Sequence, residues 1–229
     1  MKRGSLTSQH DEPHNPFALS IGDLMAALLL IFILLLSATL LQLKERAEMA
    51  EQYKDVKKEI YEDLIKEFGN DLAVWNATID KRDLLIRFSG PRVEFDLGKS
   101  EIKPQFKTIL SDFFPRYVRI ITRPKYKNNI QEIRIEGHTD NKGGYFDNME
   151  LSQNRTRSVL SYVLNYTNYS FSERQWIQSN LTANGLSYSK PISDNSTELG
   201  QSLNRRVEFR IRTNAEKQID EILKGNSNE

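Results

Sequence analysis

Asp23 is the one charged residue between Phe17 and Leu41, a run otherwise made of apolar and small residues. As a helix rising ~1.5 Å per residue, that run spans roughly 37 Å, more than the ~30 Å hydrocarbon core of a bilayer. An ionised carboxylate about 9 Å inside such a helix costs several kcal/mol unless it is protonated, paired or wetted. Two readings are open. Asp23 is either an acid near the helix end that snorkels or caps, or a proton carrier in a channel built with partner helices. A lone helix cannot shield a carboxylate from lipid, which favours the second. Gly22, Ala26 and Ala27 flank the acid and allow close helix contact. Ser20, Ser37 and Thr39, the hydroxyls of the segment, can hold water.

A second set of chemistry-bearing residues stands far downstream. Gly137-His-Thr-Asp140 is followed by Gly143 and Gly144, then by Asn148, Leu151 and Arg155. The last three are separated by three and four residues, so they share one helix face. The free end of an amino acid carries an ammonium and a carboxylate. Asp140 can receive the first and Arg155 the second, bidentately, while the two glycines let backbone amides approach. The alternative is that Asp140 and Arg155 pair with each other. His138 is either a ligand contact or a hydrogen-bonded structural histidine. Asn204 and Arg205 either form the site floor or belong to the strand edge.

The elements that must position these residues follow from periodicity. After the apolar run, residues 44–68 are dense in charge, yet Leu43, Ala47, Ala50, Tyr53, Val56, Ile60, Leu64 and Phe68 recur at spacings of three and four. That is an amphipathic helix, stopped at Gly69-Asn70. It either packs on the next domain as a solvated helix or pairs with its own copy. From Leu72 on, 74–80 and 84–88 read as strands, 104–121 as a helix that Pro115 kinks or ends, and 130–136 as a strand. Residues 151–165 read as a helix, 206–212 as a strand, and 216–223 as a short closing helix. The expected organisation is a tail (1–16), a transmembrane helix (17–43), a charged linker helix (44–71), an α+β domain (72–215) and a C-terminal tail (216–229).

Composition removes several function classes. The chain has no Cys and three His, which excludes a disulfide miniprotein and argues against a cysteine- or histidine-based metal site. A net charge of +1 lacks the basic excess of a nucleic-acid binder. No P-loop or Ser/His/Asp nucleophile motif is present, so no enzymatic activity and no cofactor is expected. A signal peptide would have a shorter apolar core than residues 17–41 and would not carry Asp23. Basic residues after the helix outnumber those before it, so charge alone would place the N-terminus outside.

The Gly137-His-Thr-Asp140 segment, the Asn148-Met-Glu-Leu-Ser-Gln-Asn-Arg155 helix and the terminal Gly200-Gln-Ser-Leu-Asn-Arg-Arg-Val-Glu208 strand resemble the OmpA-like peptidoglycan-binding domain, over roughly residues 85–213. The resemblance implies that Asp140 and Arg155 hold the diaminopimelate of the peptidoglycan stem peptide, with Thr139, Asn148, Leu151 and Arg205 around them. A wall-binding domain implies a periplasmic C-terminus and a cytoplasmic N-terminus in the bacterial inner membrane. The fold class is then a single N-terminal transmembrane helix plus an α+β OmpA-like (βαβαβ) periplasmic domain. An acidic span joined to such a domain resembles the B subunits of ion-driven stator motors. That resemblance implies a homodimer inside a pentameric multi-span A subunit, with Asp23 relaying protons. Asp23-Leu-Met-Ala26 lacks the threonine, and its surroundings the tryptophan, of typical flagellar B subunits. These departures favour the Zorya-type phage-defence branch over the flagellar one. A structural wall anchor with an idle Asp23 is the non-transport alternative.

Overall fold

A computed structural model describes residues 16–90, 95–96, 98–165 and 169–214. The expected closing helix at 216–223 and nearly all of the N-terminal tail lie outside them. The chain divides into two units, residues 1–49 and 50–229.

In the first unit, helix α1 (Pro16–Phe68) begins. Its stretch Ile21–Glu48 is long and apolar enough to cross a membrane. The side chains of 21–48 are exposed, and those of 24–41 make a nearly all-round apolar surface suited to lipid or to partner helices. Asp23 lies on the same helix face as Ala26 and Ala27, one turn on. Thr39 Oγ1 returns to the Leu36 carbonyl at 2.8 Å, so this hydroxyl is satisfied within the helix.

The second unit contains the end of α1. Ile60, Leu64 and Phe68 are fully buried in the hydrophobic core, at the four-residue spacing the sequence shows. The unit therefore starts well before residue 72, the expected beginning of the domain. Asp63 bonds Arg123 at 2.6 Å and the Tyr126 hydroxyl at 2.8 Å, and Arg116 reaches Glu67 and Asp71 at 2.8 and 2.9 Å. The helix ends where expected, with Gly69 N–H on the Ile65 carbonyl.

Then come α2 (Leu72–Trp75), β1 (Ala77–Asp80), β2 (Leu85–Ser89), α3 (Pro104–Ile121), α4 (Pro124–Lys127), β3 (Ile130–His138), α5 (Tyr145–Asn165), α6 (Phe171–Asn180), β4 (Leu181–Gly185), α7 (Glu198–Asn204) and β5 (Arg206–Thr213). The sheet order is β1-β2-β5-β3-β4, with β3 and β4 parallel and the other neighbours antiparallel. The α+β architecture is the expected one. Four details differ. Residues 74 and 75, expected as the start of a strand, belong to the helical turn Leu72–Trp75, which Asn76 ends in the left-handed conformation (φ 50°). α3 runs through Pro115 unbroken, its buried Phe113, Phe114, Tyr117 and Val118 holding both halves on the sheet. α5 starts six residues earlier than expected. β4 and helices α4, α6 and α7 were not expected at all.

Core and site separate by strand alternation. Val207, Phe209 and Ile211 of β5 face the helices, where Phe209 meets Phe113 at 5.1 Å and Phe88 at 5.9 Å. Arg206, Glu208 and Arg210 alternate with them on the other face.

Candidate functional site

β3 delivers Thr139 and Asp140 to the end of the sheet, beside the start of α5. The close packing needs Gly137: a Cβ there would sit 2.6 Å from Thr156 Cγ2 and 2.9 Å from the Ser152 carbonyl oxygen on α5. Past the strand, Asp140 organises its own loop. Its Oδ1 accepts the Lys142 N–H at 3.1 Å. Gly143 then turns at φ +92°, a region open to glycine. Asn148, on the first turns of α5, donates from Nδ2 to the carbonyls of Lys142 at 2.8 Å and Gly144 at 3.1 Å. Thr139 N–H bonds the Ser187 carbonyl at 3.0 Å. Thr139 Oγ1 is buried with no hydrogen-bond partner among the described residues, a cost of about 1–3 kcal/mol that a bound polar group would relieve.

Asp140 and Arg155 do not pair with each other. Asp140 Oδ2 accepts from Arg205 Nη1 at 2.6 Å, an ion pair closed across 65 residues by the end of α7. The Arg155 guanidinium is turned onto the loop before α3: Nε donates to the Lys99 carbonyl at 3.0 Å, Nη2 to that of Asp96 at 3.3 Å, and the group lies 4.9 Å from the Phe95 ring centre. Leu151 is half-buried one turn before it. Asp140, Arg205 and Asn148 are thus joined through the Asp140 loop, Thr139 is tied to Ser187 beside them, and Arg155, on the same helix as Asn148, holds the loop before α3. Asn204 is an organiser of the chain: its Oδ1 accepts from Ile192 and Ser193 N–H, and its Nδ2 donates to Ser193 and Asn195. Ser187 and Phe95 were missed in the sequence, because nothing near either residue marks a contact made across the fold.

His138 points into a buried charge network. It is 3% exposed, and Nε2 stands 3.6 Å from Glu208 Oε2, too far for a hydrogen bond. Neither ring nitrogen has a hydrogen-bond partner among the described residues, so His138 is not the hydrogen-bonded histidine that one of the two expectations described. Glu208 Oε1 accepts from Arg87 and Arg206 at 2.7 Å each, and Oε2 from Arg210 at 3.5 Å. Glu136 Oε2 accepts from Arg210 at 3.0 Å. Glu136, His138 and Glu208 are close enough to share an ion, but three guanidinium groups already occupy their carboxylates, a donor set unsuited to a divalent cation.

Burial lowers the His138 pKa below its ordinary 6.5, against the pull of Glu208. Burial alone would raise Glu208; the facing His138 and the Arg206 guanidinium overcome it and hold the carboxyl well below 4.5. Both signs agree. Below pH 6.5 the unfolded chain binds the His138 proton more readily, and below pH 4.5 it binds the Glu208 proton more readily, so each step down in pH removes stability. Urea unfolding followed by the fluorescence of Trp75 and Trp176 is expected to give lower stability at pH 5 than at pH 7, and lower again at pH 4. His138→Leu should flatten the upper step and shrink the lower one, since His138 is one of the two groups that hold Glu208 down.

The OmpA family matches residues 94–205, a range that holds Thr139, Asp140, Asn148, Leu151, Arg155 and Arg205. Beyond that range, the chain is 40% identical over 221 residues to the Zorya protein ZorB of Escherichia coli (Crooks strain), with 91% of this chain and 93% of that protein covered. The chain belongs to the ZorB family. A second ZorB, from Escherichia coli O139:H28, is 27% identical over 88% of this chain and 82% of that protein. Among solved structures, a MotB-like protein from Desulfovibrio vulgaris superposes on 72% of this chain and 95% of its own, with a TM-score of 0.51 and 24% identity. That likeness concerns the fold.

Proposed function

We propose that this chain is the B subunit of a proton-driven rotary motor of the bacterial inner membrane, acting in Zorya-type phage defence. The observation that carries the reading is the near end-to-end ZorB match in a chain whose apolar span holds a single charge, Asp23. Two copies stand inside a pentamer of a multi-span A subunit. Their N-termini are cytoplasmic and their C-terminal domains periplasmic. Asp23 accepts a proton from one side and passes it on, and its change between charged and neutral forms drives the A ring around the B pair.

The C-terminal domain holds the B pair still by gripping peptidoglycan. Asp140 accepts the side-chain ammonium of diaminopimelate. A carboxylate offers about four lone-pair directions, so the bonds to Arg205 and Lys142 leave room for it. Arg155 takes the ligand carboxylate, to which a guanidinium can bond bidentately. Leu151 lies against the methylene stem, and Thr139 and Asn148 fix the loop that closes the site.

The full chain in detergent is expected to co-sediment with isolated sacculi. Asp140→Asn keeps the shape and removes a charge-assisted bond of about 1.5–3 kcal/mol, a loss of roughly 10- to 150-fold in affinity. Arg155→Lys should lose a similar amount while still bonding one carbonyl; Arg155→Ala would strand both carbonyls and confuse binding with folding. Full binding by Asp140→Asn and Arg155→Lys would remove the pocket.

A further inference from the structure

The domain carries an aromatic group that the pocket does not use. Phe146 is 84% exposed and Tyr145 43% exposed, on the first turn of α5. Tyr145 meets Phe146 edge-on at 5.8 Å and Tyr188 edge-on at 5.7 Å. Grouped with two neighbouring rings, the exposed phenyl ring offers a flat apolar face on which a ligand can stack. The three rings are tied to the pocket by backbone. Ser187, next to Tyr188, donates from Oγ to the Tyr145 carbonyl at 3.2 Å, and its own carbonyl accepts from Thr139 N–H at 3.0 Å. Asn148, two residues past Phe146, is bonded to the carbonyl of Lys142 in the Asp140 loop.

We propose that Tyr145, Phe146 and Tyr188 form a stacking platform for a pyranose ring of the glycan strand whose stem peptide enters the Asp140 pocket. This rests on the peptidoglycan reading above and adds a sugar subsite to it. An aromatic ring presents a negative face, and the axial C–H bonds of a pyranose present a matching positive one of the same size. Edge-to-face contacts hold the three rings in place and leave the Phe146 face open. The platform is about one side chain wide, too small for a stable protein partner, which needs about 800 Å² on each side.

The test uses the full chain in lipid nanodiscs and three ligands: the free stem peptide ending in diaminopimelate, the same stem on its disaccharide, and glycan chains stripped of peptide. The disaccharide form is expected to bind about three- to tenfold more tightly than the free stem. Phe146→Ala, at an exposed position, should erase that gain and leave free-stem binding unchanged, whereas Phe146→Trp should keep it. Stripped glycan should compete weakly with wild type and not with Phe146→Ala. Equal affinity of wild type for the two stem ligands, or a gain that survives Phe146→Ala, overturns the platform and leaves the pocket standing. Failure of the free stem to bind wild type overturns the pocket, and the platform with it.

Discussion

Asp23→Asn is expected to abolish phage protection and proton flux while leaving the chain folded, inserted and bound to sacculi. Asn has the shape of Asp and keeps two hydrogen-bonding atoms, so helix packing changes little. It cannot change charge. Any cycle driven by a carboxyl group that alternates between neutral and ionised forms stops, and plating efficiency of phage should rise to that of cells lacking the protein. Flux into cells, read with a pH-sensitive dye, should fall to the same background. Asp23→Glu keeps the chemistry but moves the carboxyl by one methylene beside Ala26 and Ala27, and partial activity is expected. The fold of the C-terminal unit is not at stake, because its core starts at Ile60, more than thirty residues away in sequence. Full protection by Asp23→Asn would leave a wall anchor with an idle acid as the better account. The variant thereby separates the two readings that the sequence alone leaves open, and sacculus binding serves as the internal control, since the proposed pocket uses Asp140 and not Asp23.

Long periodic elements were legible before any coordinates. α3 spans the expected 104–121, and the strands at Ile130 and Arg206 appear with the expected alternation. Each of these buries a face wide enough to impose its period on the sequence. β4 did not show itself, because Leu181-Thr-Ala-Asn-Gly185 carries too few apolar residues for a pattern, and its place is set by pairing with β3. α6 did carry a signal that was passed over: Ser170 and Glu173 form a capping box. The misread turn at 72–75 follows from an apolar run too short to tell strand from helix. The site was legible in its residues and not in its bonds. The spacing of Asn148, Leu151 and Arg155 does put them on one helix. That Asp140 meets Arg205, and that Arg155 turns to the carbonyls of Asp96 and Lys99, depends on where α7 and the loop before α3 fold. No local pattern encodes such contacts.

Phe68→Ala is expected to cost about 3–5 kcal/mol, the usual range for removing a fully buried phenyl group. Phe68 is 0% exposed. Its ring packs 5.3 Å from Phe113 and 5.8 Å from Trp75 between ring centres, and the Arg116 guanidinium covers it at 5.0 Å. A small alanine would leave Trp75 and Phe113 facing a cavity, and Arg116 would lose its aromatic partner while keeping Glu67 and Asp71. Against a typical domain stability of 5–15 kcal/mol, that loss is large, and thermal unfolding followed by Trp75 fluorescence should shift down by roughly 6–20 °C. Arg116→Ala removes half-exposed ion pairs and one cation–π contact and should cost less, about 1–2 kcal/mol. The ranking matters for function. The last turns of α1 belong to the core of the C-terminal unit, through Ile60, Leu64 and Phe68. Loosening that seat should reduce phage protection even though Asp23 and Asp140 are both intact. A Phe68→Ala loss below about 1 kcal/mol would show that the last turns of α1 are an accessory to the domain core.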